Sequence, residues 1–469
     1  MKNLLVMKFG GTSMGTADRI RSAAEICASA HQERPTTVVV SAMSKVTDML
    51  LDTLRHAEGG DEHGVDEMLR KLDAKHRECC QDLLDGEARA ATQPILDEIL
   101  NEFSRIARGV LMLGERPPRS VDEAIAVGER LSSTLIAAYL RGRGIDAFAL
   151  NARELVVTDA VFGNASPLLE QTREKALNLL SPALEAGRLP IVTGFNGATL
   201  DGRPTTLGRG GSDFSASILA SVLDASELWI WSDVDGIMSA DPRLVPNAKV
   251  LEEITYREAA ELAYNGAKVL HPRTLAPLME KEIPVWSKNS FNLEAPGTRI
   301  VPVTKDGPLG PRAVTSMTNV ALVSLDPASA VLSGTRIMAR SLEALAAANA
   351  EVLALTSSSY RQNFCFLIRT AELPAVIENL EADFSIELAH GYLHPIDVDL
   401  DVGLIAIVGE GMKGHPGLAG RIFTAISAQM VNIIAIAQGS SELTIGIVVR
   451  KEGVEKAVRA VHAECGLGA

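Results

Sequence analysis

Short apolar runs alternate with helical periodicity through residues 1–300, and that alternation limits the possible folds more than any other feature of the chain. The runs lie at 4–7, 37–40, 147–150, 190–193, 228–231 and 284–286, and a Gly, Ser or Asn closes each shortly afterwards. Short runs of Val, Ile and Leu are strands buried on both faces, and helices between them return the chain to begin the next parallel strand. The expected class is α/β, a doubly wound, mostly parallel sheet. Residues 48–112 break the rhythm with a long, charge-rich helical stretch, expected as an insertion into the sheet. Ser120 and Glu123 then make an S-x-x-E capping box, which predicts a helix over 125–140.

The pattern changes across 294–312, where four prolines and three glycines separate periodic segments. Beyond it a β-α-β-β unit occurs twice. The first copy has strands at 320–325, 352–355 and 363–368, with helices at about 336–348 and 374–381. The second has strands at 402–408, 432–437 and 443–449, with helices at about 418–429 and 453–465. Duplicated small α+β modules of ferredoxin-like type are expected. The domains predicted are 1–300, 315–390 and 400–469.

Composition removes several classes of function. A net charge of −14 does not suit a partner such as nucleic acid or an anionic membrane, because both need a basic face. Local Lys and Arg can still hold a small anion. The five cysteines, Cys27, Cys79, Cys80, Cys365 and Cys465, contain no CxxC pair. Neither a zinc site nor a disulfide framework is expected, and the usage fits a reducing compartment. The N-terminus has four consecutive apolar residues (4–7), too few for a signal-peptide core, and no run reaches membrane-spanning length. A cytoplasmic protein is expected.

Three glycine-containing turns at strand ends carry the chemistry. KFGGTS at 8–13 places Lys8 beside adjacent glycines, whose backbone amides can approach an anion closely. TLGRGGSD at 206–213 surrounds Arg209 with glycines ahead of a helix expected over 214–223, which suits a carboxylate or phosphate. On local grounds alone, a tight strand-to-helix turn is the commoner reading of the first, whereas a helix N-terminus with a loop before it explains the second only as well as anion binding does. WSDVDGIM at 231–238, continuing to DPR at 241–243, fails the spacing of a calcium loop. There is no P-loop, no protein-kinase signature and no HExxH. GEGMKG at 409–414 matches GxGxxG, but the following strand lacks the acidic residue that a dinucleotide ribose needs, so a loop of a small module is the better reading. A protein-built metal site is not expected.

In their order and combination these motifs, with VVVSAMSKVTD at 38–48, VGERLSS at 127–133 and GAKVLHPRT at 266–274, resemble the aspartokinases, within the amino-acid kinase family. The resemblance covers essentially the whole chain. It implies transfer of phosphate from ATP, with Mg²⁺, to the side-chain carboxylate of aspartate, the first step of the lysine, threonine and methionine branch. By the matching motifs, Lys8, Gly10 and Gly11 would hold the transferring phosphate, and Lys8, Asp213 and Lys268 would be catalytic. Ser41, Thr47, Glu129, Arg209, Gly210, Gly211 and Ser212 would bind the substrate, with Glu129 taking the ammonium group and Arg209 a carboxylate. Ser232, Asp233, Met238, Arg243, Lys268 and Val269 would surround the nucleotide; Met238 stands where some relatives carry tyrosine. Periodicity alone would instead put Glu129, Ser132 and Ser133 on a solvated helix face.

The C-terminal repeats resemble ACT modules, amino-acid sensors that pair across subunits, which implies a homodimer or larger assembly. Met412, Asn432, Ile433 and Gln438 would contact the effector. The segments 431–433 and 437–442 look like the regulatory half of bifunctional aspartokinase–homoserine dehydrogenases, which favours threonine, with lysine possible. The first module has TSSSY at 356–360, without the glutamine. The chain ends at Ala469, and a monofunctional kinase is expected. A glutamate or acetylglutamate kinase and a non-catalytic amino-acid sensor are the alternatives.

Overall fold

The computed structural model describes residues 3–267, 270–305, 310–328, 333–358 and 364–468. Two compact units divide the chain. One comprises Met1–Ile237, Glu252–Tyr256 and Leu270–Pro302, the other Met238–Leu251, Arg257–Val269 and Val303–Ala469. Two stretches upstream of residue 300 thus cluster with the C-terminal unit.

The first unit carries β1 (Leu5–Phe9), β2 (Thr36–Val40), β3 (Ala147–Leu150), β4 (Val157–Thr158), β5 (Leu189–Thr193), β6 (Asn196–Thr199), β7 (Pro204–Thr206), β8 (Glu227–Ser232), β9 (Glu253–Thr255), β10 (Val285–Asn289) and β11 (Thr298–Val301). An eight-stranded sheet runs in the order β3-β5-β2-β1-β8-β10-β11-β9. Its pairs are parallel apart from β10 with β11. β4, β6 and β7 form a separate small sheet. The helices are α1 (Ala17–Glu33), α2 (Val46–Glu58), α3 (Glu62–Leu83), α4 (Gly86–Leu113), α5 (Pro118–Ile125), α6 (Val127–Gly142), α7 (Leu169–Glu185) and α8 (Gly211–Val222).

β1 sits between β2 and β8, and Leu5, Val6, Met7 and Phe9 are wholly buried. A strand buried on both faces shows no alternation, which is why its sequence, LVMKF, reads as an apolar run broken by a single lysine. The Phe9 ring stacks on Trp231 of β8, with centroids 6.1 Å apart. The helical insertion is α2–α4; its Leu50, Leu54, Leu72, Leu96 and Phe103 share the core of β1. The expected capping box is not formed. Pro118 occupies the first turn of α5, and Ser120 lies inside that helix. Proline lacks an amide and holds a helical φ, so it starts the helix ahead of the serine.

The second unit carries β12 (Ala313–Met317), β13 (Val320–Leu325), β14 (Ala354–Ser357), β15 (Phe364–Arg369), β16 (Asp397–Asp399), β17 (Val402–Val408), β18 (Ile433–Gln438) and β19 (Thr444–Arg450). They form two antiparallel sheets, β14-β15-β13-β16 and β12-β17-β19-β18. The duplication expected from the sequence is present but interleaved. β12 precedes the first repeat yet pairs with β17, whereas β16 follows the first repeat and pairs with β13. The two modules are therefore not consecutive blocks. β12 (AVTSM) and β16 (DVD) are short edge strands interrupted by polar residues, which is how they escape a hydrophobic scan. The GEGMKG segment closes β17 of an antiparallel sheet, whereas a dinucleotide fold needs a parallel βαβ unit. A Cβ on Gly409 would collide with the Gly310 carbonyl oxygen, so its glycine serves close packing. Among the described residues no helix is long and apolar enough to cross a membrane.

Phe9→Ala is expected to destabilise the first unit by about 3–5 kcal/mol, the usual cost of emptying an aromatic core position. The chain's three tryptophans, Trp229, Trp231 and Trp286, all lie on β8 and β10, so the denaturation midpoint of tryptophan emission reads that unit. An unchanged midpoint would contradict the packing described.

Candidate active site

A cleft of about 740 Å³ lies in the first unit, and the first two glycine turns meet there. Lys8, near the end of β1, is 7% exposed. Its Nζ sits 2.6 Å from Asp213 Oδ1, in the first turn of α8. Gly10 donates its amide to the Trp231 carbonyl at 3.1 Å. A Cβ on Gly11 would come within 3.1 Å of the Ala42 carbonyl oxygen, so glycine lets this turn approach the loop after β2. Among the described residues the amides of Gly11, Thr12 and Ser13 donate to no other group, which leaves them for an anion.

The second turn delivers Arg209, Gly210, Gly211 and Ser212 to the same cleft. Gly210 has a φ of 71° and begins α8 without a side-chain cap, so the positive end of that helix opens toward the cleft. Arg209 is exposed at the rim and, among the described residues, has no ion-pair partner. Ser41 and Thr47 line the cleft from the loop after β2 and the start of α2.

Glu129 faces these groups from α6. It is 3% exposed, not on a solvated face; Ser132 and Ser133 are buried with it, since nearly all of α6 packs inside. Glu129 Oε1 accepts from the Ala42 amide at 3.1 Å, whereas Oε2 is buried without a partner. Burial, opposed weakly by the amide, pushes the carboxyl up to about 8. A buried carboxylate with one unsatisfied oxygen in an open cleft is a receptor for a cation. Asp122 and Phe195 also line the cleft without having been read from the sequence, and so does Thr206, the first residue of TLGRGGSD, which had been given no role. Neither Asp122 nor Phe195 is a motif residue, and the φ of 72° at Phe195 appears only in the fold.

The family profile for amino acid kinases matches residues 3–289. The chain belongs to the amino acid kinase family. An ACT domain profile matches residues 405–465, so the architecture is an amino-acid kinase fold followed by ACT modules. Within this family the chain is similar to lysine-sensitive aspartokinase 3 of Escherichia coli, at 32% identity over 99% of both chains. It is 36% identical to bifunctional aspartokinase/homoserine dehydrogenase 1 of Arabidopsis thaliana, over 98% of this chain and 50% of that protein. The chain thus spans about half the length of such bifunctional relatives. Among solved structures it superposes on E. coli aspartokinase III in complex with aspartate and ADP, with a TM-score of 0.83, 30% identity and coverage of 98% and 99% of the two chains.

In this amino acid kinase the third turn begins where β8 ends. The Ser232 carbonyl accepts from the Ser290 amide at 2.9 Å and from its hydroxyl at 3.1 Å. Ser290 Oγ also lies 2.8 Å from Ser13 Oγ, which ties the third turn to the first. Asp233 is exposed beside it. Met238 and Arg243 belong to the second unit, where Met238 bridges Val250 and the exposed Arg243 pairs with Asp241 at 2.6 Å. Lys268 and Val269 lie outside the described residues, as do Ser359 and Tyr360 of the first module. Of the expected effector contacts, Asn432 and Gln438 are exposed and Ile433 is half-buried. Met412 differs: it is 4% exposed, inside the apolar core with Ile405, Ile407 and Ile422, so its side chain serves packing. Among the described residues no group of three His, Cys, Asp or Glu could hold a metal ion.

The raised Glu129 pKa makes a stability prediction. Between the ordinary carboxylate value and about 8 the folded state holds a proton that the unfolded state has lost, so stability falls as pH rises through that window. Glu129→Gln removes the penalty. Its melting temperature is expected to exceed that of the parent by several degrees at pH 8, about the effect of a few kcal/mol in a chain this size, and to converge with it near pH 5. Parallel melting curves across that range would contradict the assignment.

Proposed function

We propose that this chain is an aspartokinase, transferring the γ-phosphoryl group of ATP to the side-chain carboxylate of L-aspartate to give 4-phospho-L-aspartate and ADP. The observation that carries the reading is the unpartnered Oε2 of Glu129, buried in the cleft that also holds Arg209 and the Lys8–Asp213 pair. An amino acid with a second carboxylate answers all three. Its ammonium group satisfies Glu129, its α-carboxylate pairs with Arg209, and its side-chain carboxylate points at the anion turn of Lys8 and Gly11. Similarity to a relative solved with aspartate and ADP supports the same ligands here.

The acceptor is already ionised at neutral pH, so no general base is required. The work is to hold two mutually repelling anions in line and to neutralise the charge passing between them. Lys8 supplies a fixed positive charge at the transferred group. Asp213 fixes the direction of that ammonium. The free amides of 11–13 and the uncapped start of α8 add partial charges of the same sign. With no acidic cage among the described residues, magnesium would arrive on the nucleotide phosphates, the usual mode for this ion, and would supply further neutralisation. Gly10, Ser232, Asp233, Met238, Arg243, Lys268 and Val269 are proposed for the nucleotide.

A coupled assay of ADP formation tests this reading. Turnover with aspartate at least about a hundredfold above that with glutamate is expected, given how poorly a site built around fixed polar partners accepts a longer analogue. Lys8→Ala should lower turnover by about a hundredfold or more, with calorimetric ATP affinity changed much less. Equal turnover on both acids, or a fully active Lys8 variant, would defeat the proposal.

Regulation and assembly belong to the same proposal. Asn432, Ile433 and Gln438 of the second ACT module would bind an amino-acid effector, with threonine favoured, and the modules would pair in a homodimer or larger assembly. The E. coli relative is described as lysine-sensitive and was solved with lysine and aspartate, so separate titrations with threonine and lysine decide between them. Inhibition by threonine is expected; inhibition by lysine alone would reject it. Five free cysteines fit a cytoplasmic enzyme.

A further inference from the structure

Asp122 has no part in the chemistry above, yet it lines the cleft from α5 and is 1% exposed. Both of its oxygens are spent on backbone and hydroxyl groups of distant segments. Oδ2 accepts from the Gly163 amide at 2.9 Å and from the Thr206 amide at 3.0 Å; Oδ1 accepts from the Thr206 hydroxyl at 2.7 Å. Thr206 is the last residue of β7, immediately before the loop that carries Arg209.

The loop is held from the other side as well. Ala165 donates its amide to the Thr206 carbonyl at 2.9 Å. Gly208, with a φ of 74°, is pressed against the 163–164 segment: a Cβ there would lie 2.7 Å from Asn164 Oδ1 and 3.2 Å from the Gly163 carbonyl oxygen. Arg273, from the otherwise unassigned end of the GAKVLHPRT motif, bonds Asn164 and donates to the carbonyls of Ala165 at 3.2 Å and Leu207 at 3.4 Å. Its guanidinium lies 5.0 Å from the Phe214 ring centroid on α8. Arg209 itself makes no ion pair among the described residues, so the backbone beneath it sets where its guanidinium waits.

We propose that Asp122 is a positioning residue for substrate binding: by joining Gly163 to Thr206 it fixes the loop that presents Arg209 to the substrate carboxylate. This deepens the aspartokinase reading and rests on it. Asp122 acts through Arg209, so its removal should weaken substrate binding uniformly and spare the chemical step, whereas an acid at the reacting atoms would lower turnover.

The test compares the parent enzyme with Asp122→Ala, Asp122→Asn, Arg209→Ala and the double Asp122→Ala/Arg209→Ala, at saturating ATP and Mg²⁺ with aspartate varied. Asp122→Ala should raise the KM for aspartate about tenfold with kcat within about threefold, the signature of lost uniform binding. Asp122→Asn should stay near the parent, because its carbonyl can accept both amides while its NH₂ group donates to the Thr206 hydroxyl. In the Arg209→Ala background the Asp122→Ala change should add less than about threefold, since coupled residues are not additive. A fall in kcat at unchanged KM, or multiplicative effects in the double variant, overturns the proposal.

Should Asp122→Ala fail to fold, Thr206→Val removes the hydroxyl donor alone and is expected to raise KM about threefold with the same dependence on Arg209; an unchanged KM counts against the idea. Amide hydrogen exchange across 206–212 gives a readout independent of turnover. Faster exchange in Asp122→Ala or Thr206→Val than in the parent supports the anchor, and equal exchange overturns it. A parent enzyme without aspartate-dependent ADP formation would defeat the proposed activity and leave this exchange measurement to decide the anchor.

Discussion

The ion pair between the buried Lys8 and the half-buried Asp213 is the constraint around which the first unit is arranged. A lysine that is 7% exposed is tolerable only with a close counter-charge, and removing that partner would leave its charge buried and unpaired. The counter-charge comes from the first turn of α8, where an acid also complements the positive end of the helix. β1 must therefore be the strand against which α8 packs, and both glycine turns arrive at the same place. The pairing costs the cleft little positive potential, because among the described residues the amides of 11–13 and those of Ser212 and Asp213 at the start of α8 remain unspent. A protein with net charge −14 thus keeps a local electropositive floor.

Opposite that floor the cleft uses the reverse device. Glu129 is stripped of water and given one hydrogen bond, so its ionised form is expensive until a cation arrives. Floor and wall hold charges of opposite sign, each incompletely satisfied. A zwitterionic ligand with an extra anionic arm is the species that completes both. The selectivity of such a site comes from what is left unpaired when the wrong molecule enters.

The sequence disclosed the apolar strands most clearly. β13 and β17 have the bounds read from their apolar runs and are buried almost throughout, since burial imposes an apolar composition that needs no neighbours to recognise; β3 also keeps its bounds although it is a half-buried edge strand. The strands that escaped, β4, β6, β7, β9, β11, β12 and β16, are short, polar or at sheet edges, and their existence depends on partners distant in the chain. The site divides along the same line. Lys8 and Arg209 were visible because glycines flank them, and glycine next to charge is a local signal. Glu129 looked solvent-exposed on periodicity, because what buries α6, the Ala42 loop and the helices of the insertion, is distant in the chain and absent from its own pattern. Asp122 left no trace at all. Its meaning lies in Gly163 and Thr206, to which only the folded chain brings it.

The interleaving of β12 and β16 limits how this chain can change by recombination. A break between the two repeats would strip β16 from the first sheet, and a fragment starting at the second repeat would lack β12. Neither half is an exchangeable cassette. The pair has to be gained, lost or transplanted together, and with it the upstream stretch whose Ala240 and Val245 share the core of the second sheet. Divergence between the two sensors must then proceed by substitution inside a shared scaffold, with each copy holding a strand on behalf of the other.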